Sequence, residues 1–589
     1  MKKSSHKNRL ILTLALVAIA VASLAAGMTD CFGKKEAGSS VTVDVSDSAM
    51  DSALPDTAGT TPEMLAGRWA DSVMLTLTPR QRIAQLFVPR WDLPVSQATI
   101  VQQVAKEGIG GFLLGKAKLN DYVDIINRAQ AEAKVPLLVT LDGEWGLNMR
   151  VPDAPRFPKN IALGAINDPA LLEEYGREVA RECRLAGIQV DFAPVLDVNS
   201  NPSNPVIGYR SFGEDPKHVA MLGAAFCKGM EQGGVMSVGK HFPGHGDTSV
   251  DSHKALPTVD HSEAILESVD FVPFKAAAEA GMSGIMVGHL RVPALDKSGT
   301  PASLSKKITT DVLQKEMGFS GLIFTDALAM KGAATVGENN CVSAFKAGAD
   351  IMLSSGAPLK DIQAIADAVK SGAIKQADVD KRCRKLLIYK YKLGLVTPQF
   401  VKKEGLMAKI NTPETKALLD RLAKASVTVL ANKNNLLPLD SLANRKIAVI
   451  SLGAPADNEF SAMCGKYAAV NKIGVSAQPD VAKAVAAAKN ADILIVGVFK
   501  ADAWVKDAFA RLKTSKGFLP VFFINPFKMR GFGELSALPE LMVAYEDTKE
   551  LMSAAAQAVF GGIEVSGHFP VNISGVAKLG QGVSLKKKG

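Results

Sequence analysis

Eight short apolar runs alternate with amphipathic stretches between about residues 63 and 395, and no other feature of this 589-residue chain constrains its fold as strongly. The runs are IAQLFVPRW, IGGFLLG, PLLVTLD, IQVDFAPVLD, VMSVGKH, SGIMVGHL, GLIFTDAL and ADIMLSS. Segments such as PALLEEYGREVARECRLAG and VDFVPFKAAAEAGM separate them and read as helices. A strand that is apolar at consecutive positions is buried on both faces, and parallel strands joined by helices bury both. Eight such units predict a TIM-type (β/α)8 barrel, with a doubly wound open sheet as the alternative.

The ends of the runs favour the barrel. Asp142, Asp197, Lys240 with His241, His289 and Asp326 each follow an apolar run. In a barrel the strand C-termini converge on one mouth, where active sites are built. A single aspartate there could be a helix N-cap, but lysine and histidine do not cap N-termini.

The remaining chain sorts around this unit. A basic stretch, MKKSSHKNR, precedes the apolar LILTLALVAIAVASLAAG, and Ala25 and Gly27 fit a signal-cleavage pattern. The run is also long enough for an uncleaved membrane anchor. Both readings export the body of the protein, to a periplasmic or membrane-anchored location. Cys31 is a candidate lipid attachment point, although Asp30 stands where a bacterial lipoprotein signal carries a small residue. Residues 1–31 are therefore expected to be a signal peptide or lipoprotein signal, and the Ser/Asp/Thr/Ala/Gly-rich residues 32–62 a flexible linker. The catalytic barrel is expected over 63–395 and a connector over 396–414. A smaller α/β sandwich domain is expected over 415–589, with SVTVLANK, KIAVISLG, ADILIVGVF, PVFFINP and LMVAYED as its strands. That second region has no phosphate-binding glycine fingerprint, and no cofactor is expected.

Composition narrows the partners. Of the formal +9 charge, Lys2, Lys3, Lys7, Arg9 and Lys586, Lys587 and Lys588 supply most of the excess. No interior basic stripe interleaves with aromatics, which argues against nucleic acid. The six cysteines are scattered, with no CxxC, and read as buried thiols rather than a disulfide framework. Oligomeric state is not legible.

KHFPGHGDTSVDSH, residues 240–253, concentrates the ionisable groups. A metal site would draw on His241, His245, Asp247, Asp251 and His253. Pro243, Gly244 and Gly246 break the helix that a helical zinc motif needs, and Lys240 would repel a cation, so no metal is expected. An acid–base reading fits better: Asp251 is close enough in sequence to orient His253 and raise its pKa, and such a histidine donates and accepts protons near neutrality. His245 reads equally as a structural hydrogen-bonding residue. Asp326, among the small neighbours of FTDALAM, is a candidate nucleophile. Asp142, Arg150, Arg210, Lys240 and His241 are candidate hydroxyl-binding groups, because charged partners make the stronger hydrogen bonds to a sugar.

WADSVMLTLTPRQRIAQLF, LDGEWGLNMR, YRSFGEDP, KHFPGHGDTSVDSH, HLRVPALD and FTDALAM follow one another in this chain as they do in glycoside hydrolase family 3. The loop carrying His253 resembles that of its bacterial exo-β-N-acetylglucosaminidase branch. The resemblance spans roughly residues 63 to 575. It implies a retaining β-N-acetylhexosaminidase with a carbohydrate substrate: Asp326 as nucleophile, His253 with Asp251 as acid/base, and Asp142, Arg150, Arg210, Lys240 and His241 as the sugar-binding set. Where the family usually carries EGG this chain has EWG, so Trp145 is either a stacking surface or packing. Many relatives of this branch are cytoplasmic, so export points to peptidoglycan fragments or other N-acetylglucosamine-bearing glycans outside the cytoplasm. A β-glucosidase or β-xylosidase of the same family, a metal-dependent hydrolase and a non-catalytic glycan-binding lipoprotein are the competing readings.

Overall fold

The computed structural model describes residues 61–251, 255–333 and 337–588. The leader, Cys31 and nearly all of the expected linker lie outside them. The first described residue, Thr61, caps the helix Pro62–Thr76 by accepting the Met64 N–H.

Strands β1 (Phe87–Val88), β2 (Arg90–Trp91), β3 (Gly111–Leu114), β4 (Leu138–Leu141), β5 (Val190–Asp191), β6 (Met236–Phe242), β7 (Gly284–Val287), β8 (Leu322–Thr325) and β9 (Met352–Leu353) carry the eight apolar runs. β2 to β8 form a seven-stranded parallel sheet in sequence order, and β1 pairs parallel with β9. The first run divides because proline has no N–H to give. On one side of Pro89, β1 takes hydrogen bonds from β9, with Met352 N donating to Leu86 O and Ser354 N to Val88 O; on the other, β2 pairs with β3. Thr325 N donates to Ile351 O, so β9 also meets β8 and the ring closes as the barrel expected from the sequence.

The interior holds Val88, Leu113, Leu138, Val190, Phe192, Met236, Val238, Met286, Leu322, Phe324, Ile351 and Leu353, joined by Leu386 and Leu395. This is a filled core and not a pore. The helix Pro169–Leu185 is representative of the outer layer. Asp168 caps it and Pro169 begins it, while Leu172, Tyr175, Val179 and Cys183 form its inward stripe.

The segment expected as a connector carries the helix Leu406–Ile410, which together with the start of the helix Pro413–Ser426 packs on the apolar cluster around the barrel. The second sheet contains β10 (Thr428–Asn432), β11 (Ile447–Leu452), β12 (Val470–Val475), β13 (Ile493–Val498), β14 (Phe518–Phe522) and β15 (Glu540–Val543). Its order is β10-β15-β14-β13-β11-β12, with only the β10–β15 pair antiparallel. Separate apolar clusters cover its two faces, giving the α/β sandwich. Ile161, Ala162 and Ala165 from the barrel half belong to one of those clusters. The five cysteines of the described residues are free and buried.

Candidate active site

Lys240 and His241, neighbours on β6, are at the centre of the site. A buried ammonium is unfavourable unless it is paired. Lys240, 2% exposed, donates to Asp142 Oδ1 at 3.0 Å and stands 2.9 Å from Glu144 Oε1. Asp142 directly follows β4, and Glu144 lies in the turn beyond it. Arg150, after the short helix Leu147–Met149, donates to Asp142 Oδ2 at 2.7 Å. Arg210 grips Glu144 through two N–H groups, at 2.6 and 2.9 Å. Burial opposes ionisation of both acids, but the Lys240, Arg150 and Arg210 charges outweigh it. Asp142 is held well below the usual carboxylate range, and Glu144 is drawn down to about 2.

Asp197, fully buried behind this group, accepts the backbone N–H of His241 and of His245, at 3.1 and 2.7 Å, and His241 Nδ1 at 2.8 Å. On its other side, His241 Nε2 stands 3.4 Å from Arg210. Burial raises the Asp197 carboxyl, and the His241 imidazole and its hydrogen bond overcome that to hold it below its ordinary value.

Asp326 is the first residue beyond β8, fixed by its N–H to Val287 O at 2.9 Å. Its Oδ1 accepts the Ala327 N–H at 2.7 Å. Burial again raises the carboxyl, but His289, His241 and that N–H lower it on balance, so it is anionic at neutral pH. His289 is buried, with Nε2 3.0 Å from Ala327 O and Nδ1 2.6 Å from Ser303 Oγ. A carbonyl only accepts, so Nε2 carries a proton and donates.

One pocket of about 980 Å³ is lined by Asp142, Glu144, Arg150, Arg210, Lys240, His241, His245 and Asp326, with Leu113, Met286 and Leu353 from the barrel interior also in its wall. Its size is at the upper end of the roughly 300–1,000 Å³ typical of small-molecule sites. Arg150, Arg210 and Lys240 face Asp142, Glu144 and Asp326, and Arg90, Asp92 and Lys331 also stand in the lining. A wall with charged groups of both signs suits a molecule rich in hydroxyls, each of which can both donate and accept. All of the lining comes from the barrel half, between Pro89 and Pro358.

The five sugar-binding candidates and Asp326 therefore share one pocket. Asp197 and His289, expected from their strand ends to reach the mouth, lie behind the wall and hold His241 and Ala327 in place. Glu144 joins the site without having been singled out. Its signal was a lone acid in a glycine-flanked turn two residues beyond a strand-end aspartate.

In the 240–253 loop, His245 Nδ1 lies 2.6 Å from Thr248 Oγ1, and Asn204 Nδ2 donates to His245 O at 2.8 Å. Asp251 is half-buried and is not part of the pocket wall. His253 lies outside the described residues. Asp247 meets His261, at 3.6 Å, and His261 Nδ1 is 2.7 Å from Asp270. Among the described residues no group of three or more His, Cys, Asp or Glu gathers in a metal-binding arrangement. Trp145 is half-buried and absent from the pocket wall; its ring lies 6.4 Å from that of Tyr209.

Fold and site together define a (β/α)8-barrel protein with a pocket lined by charges of both signs at the strand C-termini. The profile of the glycosyl hydrolase family 3 N terminal domain matches residues 78–388. Beta-hexosaminidase A of Pseudoalteromonas piscicida is 34% identical over 373 residues, which are 57% of this chain and 61% of that protein. The beta-hexosaminidase of Chromobacterium violaceum is 38% identical over 263 residues, 42% of this chain and 72% of that one. The solved structure of a glycoside hydrolase family 3 beta-N-acetylglucosaminidase from a Paenibacillus species superposes with a TM-score of 0.73 at 28% identity, covering 84% of this chain and 99% of its own. The chain belongs to glycosyl hydrolase family 3.

Proposed function

We propose that this protein is an exported, retaining β-N-acetylglucosaminidase that removes terminal β-linked N-acetylglucosamine from peptidoglycan fragments or related glycans. The observation that carries this reading is the pocket in which Asp326, an ionised carboxylate, sits with hydroxyl-binding side chains of both charges. The names of the relatives and of the Paenibacillus structure support the sugar.

In this mechanism the Asp142–Lys240–Glu144 group, with Arg150 and Arg210, holds the sugar ring through its hydroxyls. An oxygen of Asp326 attacks the anomeric carbon as the bond to the leaving oxygen breaks. His253, oriented by Asp251, gives that oxygen its proton. Neutral His253 then takes a proton from water, which attacks the same carbon and releases Asp326 and the sugar with its configuration retained. Asp326 is half-buried at the pocket, and His289, His241 and the Ala327 N–H keep it charged.

Hydrolysis of an aryl N-acetyl-β-glucosaminide by the protein and by Asp326→Ala tests the proposal. Turnover by the wild type that falls by about 10³-fold or more in the variant is expected. Full activity in Asp326→Ala would falsify the assignment of the nucleophile. Turnover of aryl glucosides or xylosides in place of the N-acetylglucosaminide would overturn the sugar.

A further inference from the structure

The second domain places no side chain in the pocket wall, yet one of its residues is joined to that wall by an unbroken series of contacts. Glu546, only 6% exposed, follows β15 and reaches into the barrel half. Its Oε1 accepts the Lys159 backbone N–H at 2.6 Å, and its Oε2 lies 3.0 Å from Arg156 and 3.1 Å from the Lys159 ammonium. The carboxylate therefore fixes both the backbone and the side chain of Lys159.

Two lines run from there to the sugar-binding pair Glu144–Arg210. Along the backbone, the next residue is Asn160, buried at 2% exposure, whose Nδ2 donates to Arg210 O at 2.6 Å. Through side chains, the Lys159 ammonium stands 4.8 Å from the centre of the Tyr209 ring and 5.8 Å from that of Trp145. Tyr209 precedes Arg210 and Trp145 follows Glu144, so the cation touches the neighbour of each partner in that ion pair. Rings at this range attract an ammonium, and the two rings also pack on each other. Trp145, the residue that interrupts the usual glycine pair, thus has a task here away from the sugar.

We infer that Glu546 is a positioning residue for the pocket, acting through Lys159, Asn160, Tyr209 and Trp145 on the Glu144–Arg210 pair. Groups that bind through several directional hydrogen bonds tolerate little displacement, and supporting residues with locked geometry supply that precision. The second domain then contributes to sugar affinity without touching sugar. A second seam contact serves as a control: Glu214 of the barrel half accepts the Asn572 N–H at 2.8 Å, and neither residue lines the pocket.

The test compares Glu546→Ala, Glu546→Gln and Glu214→Ala in the full chain by two readouts. The first is hydrogen exchange over residues 142–150 and 205–212, which does not depend on any activity. The second is KM against kcat on the aryl N-acetyl-β-glucosaminide, which rests on the proposed function. Glu546→Ala is expected to speed exchange in both segments and to raise KM by about tenfold with a smaller change in kcat. Glu546→Gln, which can still accept the Lys159 N–H, is expected to recover most of both, and Glu214→Ala to change neither. Glu546→Ala behaving like Glu214→Ala overturns the inference. Should Glu546→Ala not fold, Lys159→Gln, which keeps the backbone N–H and loses the ammonium over both rings, is judged by the same readouts. A wild type that hydrolyses no glycoside defeats the proposed function alone, and exchange then decides the inference.

Discussion

At the scale of single residues, burial and charge pull against each other throughout the site, and at His245 burial prevails. Burial first, and the nearby His241 second, lower its pKa to about 4, and Asp197 only partly offsets them. An unfolded histidine titrates near 6.5. Between those values the unfolded chain binds a proton that the folded one does not, so stability is lost as pH falls from about 6.5 to about 4, by up to ~3 kcal/mol. Asp191 works the other way: burial lifts it to about 7, and it favours the folded state as pH falls through that range. The difference between wild type and His245→Asn in denaturant midpoints at pH 7 and pH 5 is therefore the diagnostic quantity. The variant is expected to have the shallower loss on acidification; equal losses would show that His245 is not the group responsible. Asp142, Lys240, His241 and Asp326 were legible as candidates because each stands at the end of an apolar run. Asp197 was legible as a strand end but not as the acceptor for His241, which depends on β5 and β6 being neighbours; Leu196 N donating to Lys240 O brings them into register.

At the scale of elements, the loop after β6 is shaped by close approach. A Cβ on Gly246 would lie 1.6 Å from Val198 O, and one on Gly244, at φ +141°, would lie 2.6 Å from Asp270 Oδ1. Neither obstacle is the end of a long, flexible side chain, so the loop itself must shift to admit a methyl group. Gly246→Ala is expected to cost ~2 kcal/mol or more and to reduce activity with it, because the same loop carries His245 and leads to Asp251. A thermal midpoint within about 0.5 °C of wild type, equivalent to about 0.5 kcal/mol for a unit of this size, would contradict this. The sequence marked this stretch as a loop from its Pro and Gly content. That Val198, five residues before Ser203 on a different connection, sets the need for glycine was not readable, since the two segments meet only in the folded barrel. The division of the first apolar run at Pro89 is similar: proline announced a break, while the assignment of its halves to β9 and β3 follows from ring closure.

At the scale of the whole molecule, residues from Thr61 onward form one compact unit in which barrel and sandwich share apolar contacts and the Glu546 and Glu214 seams. No helix among the described residues is long and apolar enough to cross a membrane. The proposed export therefore rests on the leader sequence, and the mass of the mature chain from a cell envelope fraction tests it. Cleavage before about residue 32 is expected, with a lipid-sized increment if Cys31 is acylated. A chain retaining Met1 in the soluble cytoplasmic fraction would remove export from the proposal.

The sequence by itself determined the barrel, the sandwich that follows it, and the chemical types present at the strand ends. These depend on local apolar periodicity and on residues that stand beside a strand terminus. Only the tertiary structure decided which of those ionisable groups form the wall and which support it from behind. It also decided that Glu144 completes the Lys240 site and that Glu546, just over four hundred residues beyond Glu144, is joined to it. Those choices turn on which strands become neighbours and how deeply each charge is buried, and a buried charge is stable only beside the partner that the closed fold supplies.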